Sequence, residues 1–179
     1  MRDWNVLVTA REGGFARARR LLAGLGQVAE TRYYNVLLAR VADPRGLPGF
    51  LAELAAAHPE SVSGLARVAP VDRTFTFQTA EEFLARARDA VLALAPSLAG
   101  RSFHVRVHRR GFRGALHSHE AERALAGAIL ETLEAAGRPG RVALEDSDAV
   151  VAVETIGSQA GVALWTREDL ARWALLRPG

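Results

Sequence analysis

The stretch Phe103-His104-Val105-Arg106-Val107-His108-Arg109 alternates apolar and polar residues along its whole length. Successive side chains of a β-strand point to opposite faces of the sheet. The alternation therefore predicts a strand whose three apolar residues face the core and whose polar residues share the other face. That polar face leads into Arg109-Arg110-Gly111-Phe112-Arg113-Gly114, a turn in which glycines let backbone amides approach a ligand closely.

The charge of the chain is concentrated around this strand. All 23 basic side chains are arginine, against 20 acids, and no acid occurs between Asp89 and Glu120. The arginines within that interval are Arg101, Arg106, Arg109, Arg110 and Arg113. Clustered charge of one sign predicts a polyanionic partner more strongly than net charge does. Arginine also offers a planar fork that binds phosphate bidentately or stacks on a base.

We therefore expect the segment from Arg101 to His119 to bind a nucleic acid. Its arginines are expected to contact phosphates, and its histidines and phenylalanine to add hydrogen bonds or stacking on an unpaired base. The candidate RNA-binding residues are His104, Arg106, His108, Arg109, Arg110, Gly111, Phe112 and Arg113. A structural alternative is that Arg106 and Arg109 pair with acids from distant sequence, such as Glu145, Asp146, Asp148 or Glu154.

The histidines of this segment do not predict a metal site. His104 and His108 are four residues apart on a strand, so about 13 Å separates them and one ion cannot bind both. The surrounding arginines oppose a cation, and the absence of cysteine excludes thiolate ligands. We expect no metal and no cofactor.

Catalytic signatures are scarce as well. The stretch Gly157-Ser158-Gln159-Ala160-Gly161 lacks the lysine and the following helix of a phosphate loop. The acidic run Glu145-Asp146-Ser147-Asp148 can in principle bind a divalent ion, but between two apolar strands it favours a tight turn. We expect no catalytic residue and a protein that is not an enzyme.

Length and composition are those of an ordinary globular protein. The chain has 179 residues, 49% hydrophobic and 24% charged, which suits one large domain or two small ones. No apolar run approaches the ~18–20 residues that span a bilayer, and the N-terminus does not have the pattern of a signal peptide. The expected location is cytoplasmic, without membrane attachment.

Residues 1–77 have a strand–helix–strand–strand–helix–strand pattern. The run NVLVT at 5–9 predicts the first strand, and Phe15–Leu25 carries apolar residues at helical spacing. Asp43-Pro44 is typical of a helix start, with Asp as N-cap. Leu65–Val71 and Arg73–Phe77 are predicted to supply the final strand. This order matches the ferredoxin-like βαββαβ unit.

Residues 78–179 predict a second α/β unit. Thr79-Ala80-Glu81-Glu82 has the pattern of a capping box that begins a helix, and Ser118 is a candidate cap for another. Three strands are expected after that helix: Arg141–Leu144, Ala149–Ile156 and Gly161–Trp165. The predicted fold class is thus α+β, with an N-terminal ferredoxin-like unit packed with a C-terminal α/β domain.

The second half resembles the THUMP domain. The resemblance rests on the basic strand and turn at 103–111, on Ser118 and Glu120 at a helix start, and on the strands VVAVETIG at 150–157 and GVALW at 161–165. The chain is most similar to the stand-alone THUMP proteins that assist tRNA cytidine acetylation. The resemblance implies a tRNA-binding module, with chemistry supplied by a partner enzyme similar to an acetyltransferase. It maps best onto Arg106, Arg109, Arg110 and Gly111.

Two other functions are compatible with the same residues. The arginine cluster is also expected in an enzyme or binding protein for a phosphorylated small molecule, which requires a deep pocket beside the strand and a nearby acid or base. A protein-binding adaptor requires an acidic partner for the same segment.

Overall fold

The computed structural model describes residues 1–177, which form two β-sheets and five α-helices. The helices are α1 (Phe15–Ala23), α2 (Leu47–Ala57), α3 (Ala80–Leu92), α4 (Ser118–Ala135) and α5 (Arg167–Arg172). The strands are β1 (Val6–Ala10), β2 (Gly26–Glu30), β3 (Val36–Val41), β4 (Leu65–Pro70), β5 (Arg73–Thr76), β6 (Ser102–His108), β7 (Arg141–Val142), β8 (Ala149–Ile156) and β9 (Gln159–Thr166). The predicted α+β class is confirmed.

The chain divides into two compact units. The first contains Met1–Asp72 together with the described residues from Asp169 onward, and the second is Arg73–Glu168. The sequence predicts a division between residues 77 and 78 and a second domain that ends at residue 179. Residues 178 and 179 lie outside the described part of the chain.

The sheet of the first unit has the strand order β2-β3-β1-β4, and every neighbouring pair is antiparallel. Its core contains Val6, Val8, Leu22, Leu37, Leu51 and Leu65, all at or near zero exposure. Helix α2 begins at Leu47, three residues after the predicted Pro44. The reason is local: Oδ1 of Asp43 accepts a hydrogen bond from the Gly46 amide (3.0 Å), so Asp43 closes a turn that precedes the helix.

The sheet of the second unit has the order β5-β9-β8-β6-β7. Strands β6 and β8 are parallel and β8 and β9 antiparallel, so β6 is an interior strand beside the short edge strand β7. The sequence assigns Arg73–Phe77 to the last strand of the first part, whereas β5 pairs with β9 here. Phe77 explains the difference, because its ring is buried 5.1 Å from that of Phe83 in the second core.

Helices α3 and α4 cover the face of this sheet that carries the apolar residues of β6. The predicted capping box begins α3: Thr79 Oγ1 accepts from the Glu82 amide (3.1 Å), and Glu82 Oε2 accepts from the Gln78 amide (2.8 Å). Ser118, predicted as a cap, is the first residue of α4. None of the described helices combines the length and apolarity that crossing a membrane requires.

Candidate nucleic-acid interface

Strand β6 has the two faces that its sequence predicts. Phe103, Val105 and Val107 are 0–4% exposed and pack under α4. The residues on the opposite face are only partly buried: His104, Arg106 and His108. The alternation therefore brings three candidate residues to one face of the sheet.

His104 is held on this face by a side chain from the β7–β8 connection. Its Nδ1 lies 2.8 Å from Ser147 Oγ. Burial, and then the positive charge of Arg106, lower the pKa of His104 below the ordinary value for histidine. A hydrogen bond to the Ala143 backbone acts in the opposite direction and is a smaller influence on the pKa, so the ring adds no positive charge to this face at neutral pH.

Arg106 is the most available cation of the strand. It is partly buried, and its guanidinium has no hydrogen bond or ion pair with another side chain among residues 1–177. Its positive charge helps to lower the pKa of His104, which lies two residues away on the same face. Five N–H donors are thus left for an external acceptor.

Arg110 has a different environment. Its Nη1 donates to Glu154 Oε2 (2.9 Å), its amide donates to Thr155 Oγ1 (2.9 Å), and its carbonyl accepts from the Gly157 amide (2.8 Å). Glu154 is fully buried, and it lies opposite His108 in the β6–β8 register. Arg110 therefore connects the loop after β6 to the end of β8. Glu154 is one of the acids that the structural alternative named, but its partner is Arg110 and neither Arg106 nor Arg109.

The loop after β6 is shaped by three residues with positive φ, Gly111 (102°), Phe112 (50°) and Gly114 (82°). The Arg109 Nη1 donates to the Gly111 carbonyl (2.6 Å), which folds that guanidinium back on the loop. The Phe112 ring packs 5.0 Å from Phe77, on the edge of the core. Phe112 consequently anchors the loop.

Arg113 lies at the tip of this loop and is exposed. Its side chain forms no hydrogen bond or ion pair within the described residues. Because the neighbouring residues Arg110 and Phe112 are both fastened, Arg113 projects from a loop of defined shape. Arg106 and Arg113 are thus the two free arginines among the candidate residues of the described chain.

Glu122 was not identified from the sequence as a functional residue, yet it borders the site. Its Oε1 accepts from the Val107 amide (2.9 Å), and its Oε2 lies 3.2 Å from Nδ1 of the exposed His119. The three-residue spacing of His119 and Glu122 on a helix is the only sequence signal for this contact. The segment that lacks acids in sequence therefore contacts three acids from elsewhere in the described chain: Glu122, Glu154 and Asp148, whose carboxylate accepts from the Ser102 amide (2.9 Å).

An apolar groove of about 480 Å³ lies between α4 and the outer edge of β6. Its aliphatic lining comes from Val105, Ala126, Leu130, Val142 and Leu144, and its polar lining includes His104, Glu122 and Arg123. Neither Arg106 nor Arg113 lines it. Arg113 is exposed at the loop, whereas Arg106 is partly buried on its sheet face.

Comparisons with known proteins find similarity of structure. No protein-family model and no curated protein sequence matches this chain. Its fold is similar to that of PH1313 from Pyrococcus horikoshii Ot3, with 14% identity, a TM-score of 0.62, and 90% of this chain and 54% of that chain covered. TrmN from Thermus thermophilus has 22% identity and a TM-score of 0.58, over 90% of this chain and 44% of that chain. A 4-thiouridine synthetase in complex with RNA and ATP has 16% identity and a TM-score of 0.57, over 91% of this chain and 41% of that chain.

This chain spans about half the length of these structures or less. At such identities the likeness establishes a shared fold, and function has to be argued from the site.

Proposed function

We propose that the second unit is a THUMP-like domain that binds tRNA through the free arginines of β6 and the following loop. The observation that carries the proposal is that Arg106 and Arg113 have no acid partner among residues 1–177, while Arg110 and Phe112 fix the loop between them. Phosphates are recognised by such positioned guanidinium groups. His104, His108, Arg109 and the backbone at Gly111 complete the surface.

The comparisons support this proposal through two neighbours of similar fold. One is TrmN, and the other is a 4-thiouridine synthetase bound to RNA. The sequence resemblance to THUMP proteins covers the same unit. The two neighbours and the sequence resemblance together favour RNA over a small phosphorylated molecule as the ligand.

We further propose that the first unit is ferredoxin-like and that the protein acts in the cytoplasm without chemistry of its own. The antiparallel strand order β2-β3-β1-β4, with α1 and α2 as connections, supports the ferredoxin-like assignment of the first unit. The proposed role is that of an accessory to a tRNA-modifying enzyme, in which a partner similar to an acetyltransferase acts on the tRNA that this chain holds.

The test is a titration of tRNA into the full chain at several salt concentrations. Binding should weaken steeply with salt, because each neutralised phosphate releases counterions. The double variant R106A/R113A should bind at least about tenfold more weakly and with a salt slope smaller by about two. The matched control is R86A/R88A, which removes two exposed arginines of α3.

Three results would count against the proposal. They are the absence of tRNA binding, binding that does not respond to salt, and an equal loss in R106A/R113A and R86A/R88A. Tighter binding of inorganic phosphate or a sugar phosphate than of tRNA would favour the small-molecule function instead.

A further inference from the structure

One edge of the second sheet is the two-residue strand β7, and this edge carries exposed apolar side chains. Val142 is 41% exposed and Leu144 is 74% exposed, so they are two of the four large apolar residues that are exposed in the described chain. Both line the groove beside α4, and Val142 is in register with Phe103 on the face that α4 covers. Proteins usually protect an edge strand with charged side chains, so exposed aliphatic residues beside an apolar groove indicate a contact surface.

The backbone of this edge is open as well. The amides of Arg141 and Ala143 donate to the carbonyls of Arg101 (3.1 Å) and Phe103 (2.9 Å). The amide and the carbonyl of the intervening Val142 therefore point away from β6, and within residues 1–177 neither has a hydrogen-bond partner. The chain bends from Leu144 onward, so the edge can accept only a short additional strand.

The two ends of this edge carry opposite charges. Arg141 precedes Val142, Glu145 follows Leu144, and both charged residues are exposed. Neither of the two side chains forms an ion pair or a hydrogen bond with any described residue. The order along the stretch from 141 to 145 is therefore positive, apolar, small, apolar and negative.

This order is complementary to itself in the reverse direction. When two copies run antiparallel with Ala143 of one beside Ala143 of the other, Arg141 of each copy lies opposite Glu145 of the second copy. In the same register, Val142 of each copy lies opposite Leu144 of the second. Cross-strand pairs of opposite charge and of apolar residues both stabilise a sheet, and a two-fold axis forms each pair twice. A parallel alignment would instead place like charges opposite each other.

We propose that this edge is the interface of a homodimer in which residues 141–145 of two copies pair antiparallel about Ala143. Leu144 of one copy contacts Val142 of the other over the groove of about 480 Å³, where both apolar side chains lose exposure to water. The contact is small in comparison with the ~1,200–2,000 Å² that stable interfaces bury, so the association is reversible and depends on concentration. Arg106 and Arg113 do not belong to this edge, so the inference does not rest on the proposed function.

Sedimentation velocity of the nuclease-treated full chain, over about two orders of magnitude in concentration, measures the equilibrium between monomer and dimer. Wild type should change from monomer to dimer as the concentration rises. Leu144→Asp should dimerise at least about tenfold more weakly, because it places an unpaired charge opposite Val142. The matched control is Tyr34→Asp, which replaces an equally exposed side chain (75%) of the first unit and should dimerise as wild type does.

Charge reversal tests the antiparallel register. R141E and E145R each convert the two attractive pairs of the dimer into two repulsive pairs, so either variant alone should dimerise at least about tenfold more weakly. An equimolar mixture of the two variants should dimerise about as strongly as wild type, because each introduced charge then lies opposite its counterion on the other variant. The double variant R141E/E145R should also dimerise as wild type does, and both recoveries show that the single variants are folded.

Four results would overturn the inference. If wild type stays monomeric at every concentration, the edge belongs to an interface with a different protein. If Leu144→Asp dimerises as wild type does, the interface lies elsewhere on the molecule. Unchanged dimerisation of R141E and of E145R alone, or a mixture of the two that stays monomeric, would contradict the antiparallel pairing about Ala143.

Discussion

Arg110 and Glu154 form an ion pair in which Nη1 of the arginine lies 2.9 Å from Oε2 of a carboxylate with no solvent exposure. The arginine is itself only 19% exposed. A charge removed from water in this way depends on its partner, because an uncompensated buried charge is costly. The pair joins the end of β8 to the loop that carries Arg113, so the geometry of the candidate RNA surface depends on it.

Replacing Arg110 with Ala should reduce the free energy of unfolding by about 3–5 kcal/mol, because Glu154 then remains buried without its counterion. Urea denaturation measures this loss. Arg113→Ala, on the exposed tip of the same loop, should change stability by less than about 0.5 kcal/mol. The apolar double variant R110M/E154L should recover most of the loss. Equal stability of Arg110→Ala and wild type would refute the structural role of the pair.

Phe112 should matter for stability more than for RNA binding, because its ring packs on Phe77. We expect Phe112→Ala to cost about 2 kcal/mol, less than a fully buried phenylalanine, and Phe112→Leu about 1 kcal/mol. In a tRNA titration, Phe112→Leu should bind within about twofold of wild type. A tenfold weaker affinity of a folded Phe112→Leu protein would instead show that the ring stacks on a base.

Glu122 should stabilise β6 through the Val107 amide, which points away from β8. Glu122→Ala removes the acceptor and should cost about 1–3 kcal/mol, with faster hydrogen exchange at the Val107 amide. Glu122→Gln keeps an acceptor oxygen and should lose clearly less stability. If both variants lose the same stability, the contribution of Glu122 comes from its charge, and the role assigned to the hydrogen bond is wrong.

His104 should make stability depend on pH in the acidic range. Burial and Arg106 lower its pKa in the folded protein, so the unfolded chain binds the proton more readily. Its contribution is therefore complete above the unfolded pKa of about 6.5 and declines as pH falls below that value towards the folded pKa. His104→Gln should show a shallower loss of stability between about pH 7 and 5. An NMR titration in which His104 has an ordinary or raised pKa would contradict this prediction.

Local patterns predicted the elements that carry the site. The alternation of residues 103–109 predicted β6 and its two faces, and the capping box at Thr79 predicted the start of α3. Both depend on interactions within a few residues, where sequence spacing is also spatial spacing. Asp43 is the counterexample: the residue type suits a cap, but it closes a turn, and α2 begins later.

Such local patterns did not predict the contacts between segments that are distant in sequence. The sequence left four acids as possible partners for the arginines. The register between β6 and β8 places Glu154 beside the loop, where it pairs with Arg110. Glu122 reaches Val107 because α4 packs on β6, which the spacing of residues along the helix does not encode. Arg138 and Arg141 are distant from Arg101 in sequence, and the pairing of β7 with β6 places them beside it.

The sequence by itself determined the α+β class, the alternating strand and the excess of positive charge around it, because these follow from residue type and local periodicity. The tertiary structure alone decided which of those charges are available to a partner. Strand pairing and helix packing are long-range, and they neutralise Arg110 with a buried carboxylate while leaving Arg106 and Arg113 without an acid partner in the described part of the chain. A charge binds an external phosphate only where the fold has not already paired it.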